Sequence, residues 1–292
     1  MASVYPTPRS VVLFAYGSPP PPRPPQLAGS MTPPTLLHED DSLLAFDKSG
    51  GMPVNAALIQ AIQSRHGKII APAHRPEPET GGVWIFAKDK PALDFISGQF
   101  QSKSVQHTAH ALALVLPAAD LDPETLRARA GVAASLRDAS GLLPAEFSVE
   151  LCIGEHSEHA GRMTNYRKRD GKPALTTFRV LERFHDRTGR TLVWIEAGHT
   201  SARPHQVRLH LAASGAPVLA DSLYGVPGDL RLSGLKRGYK GRDDEKPLLD
   251  RLALHHSTLT LRHPVTREPV TLSAPLPHDL DLALKNLRRF AA

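Results

Sequence analysis

The chain has 292 residues, 41% of them hydrophobic and 22% charged, enough to bury a sizeable core as one large domain or two small ones. Its formal charge of +6 suits a polyanionic partner without requiring one. A single cysteine, Cys152, excludes an intramolecular disulfide framework and a multi-cysteine zinc site, and no apolar run reaches the roughly 18 residues of a membrane span.

Residues 1 to 34 carry "GSPPPPRPPQLAG" and "MTPP", a composition that favours polyproline II and open chain, so a disordered tail is expected there. "SVVLFAYGS" within it is too short for a secretory signal, which leaves a cytoplasmic protein as the expectation. The folded domain is expected over 35–292. It opens with "TLLHEDDSLLAFDKSGGMPV", a strand, an acidic turn, a second strand and a glycine turn. "NAALIQAIQSRHG" has helical spacing, with Asn55 as N-cap and Gly67 as stop. "GGVWIFAK" reads as a buried strand, "KPALDFISGQFQSK" as a helix with proline in its first turn, and "HALALVLP" as a strand.

Residues 119–146 form a helix-like segment, after which the chain turns β-rich: "EFSVELCIG", "ALTTFRVLERF", "TLVWIEAG", "STLTLRHP" and "PVTLSAPLP". "SARPHQVRLHLAASG" interrupts these strands as a helix ending at Gly215, and "VPGDLRLSGLKRGYKGRDDEK" reads as a polar loop. Many strands with a few interspersed helices, and no βαβ alternation, indicate an α+β fold around a mixed, mostly antiparallel sheet.

Six segments, in order, resemble the RluA-type RNA pseudouridine synthases. They are "LLHEDDSLLAFDKSGGMPV", "HRPEPETGGVWIFAKD", "GKPALTTFRVLERF", "TSARPHQVRLHLAASGAPVLADSLYG", "RLALHHSTLTLRHPVT" and "LSAPLP". The resemblance runs collinearly from about residue 35 to about 280. It implies that family's catalytic-domain fold, a bent sheet with flanking helices and a central RNA cleft. It also implies a cofactor-free reaction on a flipped uridine: the N1–C1′ bond breaks, the uracil turns, and C5 rejoins C1′. In the family an aspartate starts this by attacking C1′ or removing a ribose proton. A tyrosine stacks on the base and accepts the C5 proton, and an arginine pairs with the aspartate.

Carried over by position, the aspartate falls on Glu77 and its partner on Arg208, which together form the expected catalytic pair. Arg75, Thr80, Arg203, His205, Gln206 and Lys48 are the expected RNA- or substrate-binding residues. The tyrosine position falls on Ala109, and the neighbouring His110 points to the opposite face of a strand. Other departures are Ser201-Ala202 for Thr-Gly, Pro204 for threonine and Gly81 for serine. Pro76 and Pro78 stiffen the loop around Glu77.

Other chemistries fare less well. "HSEH" places His156 and His159 at helical spacing without further ligands at a recognisable distance, so no metal is expected. Glu77 and Glu79 invite a glycosidase reading, but no aromatic sugar platform accompanies them. "RMTNYRKRDGK", with Tyr166, is either an RNA clamp or a solvated hairpin tip, and Asp221 and Tyr224 read as residues closing a turn. The expectation is therefore a monomeric enzyme isomerising uridine in rRNA or tRNA without a cofactor. Its rival is an RNA-binding paralogue that keeps the cleft and has lost the chemistry.

Overall fold

The unbroken apolar run at 81–87 demands cover on both of its faces, and the architecture supplies it. The structure, a computed structural model, describes residues 33–67, 70–117, 137, 141–156, 160–166, 171–225, 229–239, 241 and 244–291. Strand β1 (Thr35–Glu39) and β2 (Leu43–Lys48) are followed by α1 (Ala56–His66), the short β3 (Ala71–Pro72), β4 (Gly81–Ala87) and α2 (Lys90–Gln101). All seven residues of β4 are buried. Trp84 and Phe86 pack with Leu58 and Ile62 of α1, whereas Val83, Ile85 and Ala87 pack with Ala92 and Ile96 of α2. Both helices are capped as their sequences require, by Asn55 accepting from the Leu58 amide and Asp89 accepting from that of Ala92.

The second half contributes β5 (Gln106–Val115), β6 (Glu146–Glu155), β7 (Met163–Tyr166), β8 (Lys172–His185) and β9 (Thr191–His199). Then come α3 (Gln206–Ala213), a one-turn α4 (Leu232–Leu235), β10 (Leu254–Arg262), β11 (Pro269–Ser273) and α5 (His278–Phe290). Among the described residues these strands form one sheet in the order β1-β2-β4-β10-β5-β9-β8-β6-β7, with β3 paired to β4 and β11 to β10. Every pairing is antiparallel except β4 with β10, joined by His255 opposite Gly81 and His256 opposite Gly82. That join fuses the two halves, and the cleft described below lies across it. The α+β fold with a mixed, mostly antiparallel sheet is thus as expected.

Strands β6 and β8 alternate buried and exposed residues, as a sheet covered on one face should. The largest core cluster joins β5, β9, α3 and α5, with Leu112, Val193, Leu211 and Leu284 all essentially inaccessible. Helix α5 was not anticipated, although Leu280, Ala283, Leu284 and Leu287 follow helical spacing and all are buried. The "polar loop" after residue 225 contains α4 and a bridge between Leu230 and Leu249. The expected disordered tail, apart from Pro33 and Pro34, and most of the 119–146 segment lie outside the described residues. No helix among the described residues is long and apolar enough to cross a membrane.

Candidate active site

The loop between β3 and β4 carries Glu77 and is held by its backbone from several sides. The Trp84 indole donates to the His74 carbonyl at 3.1 Å, and the Gly51 amide donates to the Pro78 carbonyl at 2.9 Å. Lys48, at the end of β2, sends its ammonium into the loop, where it donates to the carbonyls of Ser49, Pro78 and Thr80. It is only 1% exposed, and burial lowers its pKa to about 8 against the raising effect of Glu79 and Glu77. Lys48, expected among the RNA- or substrate-binding residues, instead turns its donors inward and holds the loop. Thr80 is buried too, its hydroxyl donating to the Glu77 carbonyl at 3.3 Å, so it also shapes the loop instead of facing a ligand.

The other wall begins where β9 ends. Helix α3 starts at Gln206, later than "SARPHQVRLH" suggested, because His205 adopts a left-handed backbone at φ 57°. A non-glycine residue in that region is uncommon, and here it aims the His205 amide outward from the helix start. That amide donates to Glu77 Oε1 at 2.7 Å. The His205 ring is hydrogen-bonded through Nδ1 to the Tyr224 hydroxyl at 2.7 Å, and that hydroxyl also accepts from the Met163 amide at 2.8 Å. His205 thus serves the site through its backbone while its ring is tied into the fold. Gln206, 2% exposed, bonds Ser201, the Arg203 amide, the Leu175 carbonyl and Thr176, so its expected substrate contact is likewise replaced by a positioning role.

Arg208, in the first turn of α3, is 1% exposed. Its Nη1 lies 3.2 Å from Glu77 Oε2, while Nε and Nη2 grip Asp221 at 2.9 and 2.7 Å. Burial alone would lower the arginine pKa; the hydrogen bonds and charge of Asp221, then those of Glu77, raise it above its ordinary value. Asp221 also accepts from the Leu223 and Tyr224 amides, so the turn-closing role read from the sequence holds, but the ion pair with Arg208 was missed. The Tyr224 ring lies under the same guanidinium at 5.2 Å.

A cleft of about 230 Å³ opens beside this pair, with Glu77, Arg75 and Arg203 in its lining. The Glu77 side chain keeps 18% of its surface open. Arg75 is exposed, with one long contact to the Val54 carbonyl at 3.4 Å, and the Arg203 Nε has no protein partner among the described residues. Ala109 is fully buried, and His110 faces away from Ala109, bonded to Ser257 at 2.9 Å and stacked on Trp194. The cleft wall instead holds His74, His107, His199 and His256, none of them among the site residues expected from the sequence.

A metal reading gains one geometric point, since Glu77, Glu79 and His205 bring ligand atoms within 4.8 Å of one another. Arg208 already balances both carboxylates, at 3.2 and 3.9 Å, and the His205 Nδ1 is engaged by Tyr224. His159 and the side chain of Tyr166 lie outside the described residues.

Comparison with known proteins bears on the family and the fold. The family described as RNA pseudouridylate synthase matches residues 42–213. The chain is 30% identical to an uncharacterized RNA pseudouridine synthase of Chlorobaculum parvum, over 90% of this chain and 77% of that one. It is 28% identical to the dual-specificity RNA pseudouridine synthase RluA of Pasteurella multocida, covering 84% of this chain and 97% of that one. It is 27% identical to the ribosomal large subunit pseudouridine synthase D of Neisseria meningitidis serogroup B, of whose length it spans 61%, using 87% of its own. Among solved structures, human RNA pseudouridylate synthase domain containing 1 aligns over 88% of this chain and 89% of that chain, with TM-score 0.62 at 21% identity, a likeness of fold. By sequence and by fold, the chain belongs to the RluA-type RNA pseudouridine synthase family.

Proposed function

We propose that the protein isomerises uridine to pseudouridine in RNA, with Glu77 as the reactive carboxylate and Arg208 as its partner. The observation that carries this is the seat of Glu77. One oxygen accepts the His205 amide, the other faces the Arg208 guanidinium, and the side chain still opens to a cleft flanked by Arg75 and Arg203. A carboxylate held by two donors in a half-dry cleft is placed to attack C1′ or take a ribose proton without first reorganising. The N1–C1′ pair of electrons leaves with the uracil, C5 bonds C1′, and the proton lost from C5 is matched by one gained at N1. No cofactor enters the balance.

Glutamate reaches about 1 Å further than aspartate, a displacement that can cost about a hundredfold in rate when nothing compensates. Here the compensation is local. Pro76 and Pro78 stiffen the loop and Lys48 draws its carbonyls inward, which sets the longer arm against its two donors. Arg75 and Arg203 are assigned to RNA phosphates, and ribosomal RNA is the preferred substrate, ahead of transfer RNA, because several relatives carry ribosomal large-subunit names. The setting is the cytoplasm, and the working unit a monomer.

The test is release of tritium from transcripts labelled at uracil C5. The wild type should release label and Glu77→Gln should not. A wild type that binds RNA in a salt-dependent way and releases nothing would replace this reading with that of a non-catalytic paralogue, to which the buried Ala109 at the tyrosine position already lends some weight.

A further inference from the structure

Four histidines from distant segments meet in the cleft wall: His74 ahead of the loop, His107 on β5, His199 at the end of β9 and His256 on β10. His107 and His199 are register partners, and their rings stack with centroids 4.6 Å apart at 14°. His256 meets the edge of His199 at 6.3 Å and 86°. The Nδ1 of His199 lies 2.9 Å from the Ser201 carbonyl oxygen. A carbonyl only accepts, so Nδ1 carries the proton and Nε2 keeps a bare lone pair. That Nε2 is buried and has no partner among the described residues, and the same is true of His107 Nε2. Burial lowers the pKa of both rings, to about 3 for His199, so they are neutral acceptors at ordinary pH.

A buried lone pair without a donor is costly in an otherwise close-packed wall. Its natural complement is a planar ligand with an N–H on its edge. A ring bonded in the plane of His199 also lies parallel to His107, so the hydrogen bond and the stacking surface reinforce each other. Uracil offers N3–H in that position. Cytosine offers a lone pair at N3, which would oppose the imidazole lone pair.

We propose that His199 is the specificity-determining residue of this cleft, accepting the N3–H of a uracil ring that lies against His107. The assignment rests on the proposed uridine substrate but concerns recognition, so it is read by binding and not by turnover.

Three single-stranded decamers serve as probes: oligouridine, oligocytidine and oligo-N3-methyluridine, the last carrying a methyl group in place of the N3–H. The wild type should bind oligouridine about tenfold more tightly than either of the others, the loss expected when a buried acceptor goes unpaired. His199→Phe keeps a ring and removes the lone pair. It should bind all three decamers alike, whereas Gly98→Ala, in α2 and outside the cleft lining, should keep the preference. Equal binding of the three by the wild type, or an undiminished preference in His199→Phe, would overturn the assignment. Should His199→Phe fail to fold, the methylated probe with the wild type decides alone. A uridine preference without tritium release would defeat the proposed enzyme and leave His199 standing; tritium release without the preference would do the reverse.

Discussion

Asp221 occupies two of the three guanidinium nitrogens of Arg208, at 2.9 and 2.7 Å, and leaves Nη1 to face Glu77. The arginine is thereby aimed by one carboxylate and used by another. Because both Asp221 and Arg208 are buried, Asp221→Ala strands a charge in the core and should cost about 3–5 kcal/mol in urea unfolding. Glu77→Gln, at a partly open position, should cost less than about 1 kcal/mol. Equal losses in the two variants would mean that Asp221 does not anchor the arginine.

Shortening Glu77 tests whether the loop is built for a glutamate. In Glu77→Asp the carboxylate retreats by about 1 Å from the His205 amide and from Arg208, and tritium release should fall by about a hundredfold. A gain in rate would show instead that the loop tolerates the longer arm without being fitted to it.

Lys48 offers a separable route to the same loop. Lys48→Met keeps most of the buried stem but removes the donors to three carbonyls, leaving those groups short of partners. The expected loss is about 1–3 kcal/mol of stability, with kcat falling and salt-dependent RNA affinity unchanged, because the ammonium faces the protein and not the solvent. A marked drop in the salt dependence of binding would return Lys48 to the RNA-binding residues expected from sequence.

Strands and helices whose burial is set locally were legible in the sequence. The run "GGVWIFA", the strand "EFSVELCIG", the cap at Asn55 and the first-turn proline of α2 each announce themselves within ten residues or so. What depends on distant partners was not. His107 and His199 are 92 positions apart, and only the β5–β9 register brings their rings together. Asp221 could be read as a turn residue, and it is one, but its grip on Arg208 appears only when α3 packs beside that turn. Lys48, Thr80 and Gln206 belong to matching motifs, yet the motif does not say whether a polar group points to ligand or to backbone; their burial does. Helix α5 is a different miss, since its pattern was present and went unread.

The histidine wall makes a prediction about acid. Burial is the chief cause of low pKa values of about 4 for His74, about 2 for His107 and about 3 for both His199 and His256, with repulsion from neighbouring histidines adding to it at His107, His199 and His256. Arg75, Arg203 and Glu77 share the cleft, and Lys48 adds repulsion at His256. In the unfolded chain each histidine takes a proton below about pH 6.5, while the folded protein refuses it. The unfolded state therefore binds more protons, and stability rises with pH across that window. It should be fully present above about pH 6.5 and decline as pH falls toward 4, by up to about 1.4 kcal/mol per unit for each histidine. Urea midpoints at pH 7.5, 6 and 5 measure this, and His107→Phe should flatten the profile. A flat wild-type profile would mean that the wall is open to water.

The parallel join between β4 and β10 makes the sharpest structural prediction. Gly82 sits at φ +127°, and a Cβ there would lie 2.0 Å from the His256 carbonyl oxygen, inside any permitted contact. Gly82→Ala must push β4 and β10 apart where they meet, next to the cleft, or force a strained backbone. It should destabilise the protein by more than about 3 kcal/mol and reduce RNA binding along with it. Gly98 in α2 is the control, because a Cβ there meets nothing within 4 Å. Gly98→Ala should stabilise by about 0.5–1 kcal/mol through helix propensity alone. If the two substitutions had similar effects on the thermal midpoint, the close approach of Gly82 to His256 would not exist in solution, and the cleft wall built on it would need redrawing.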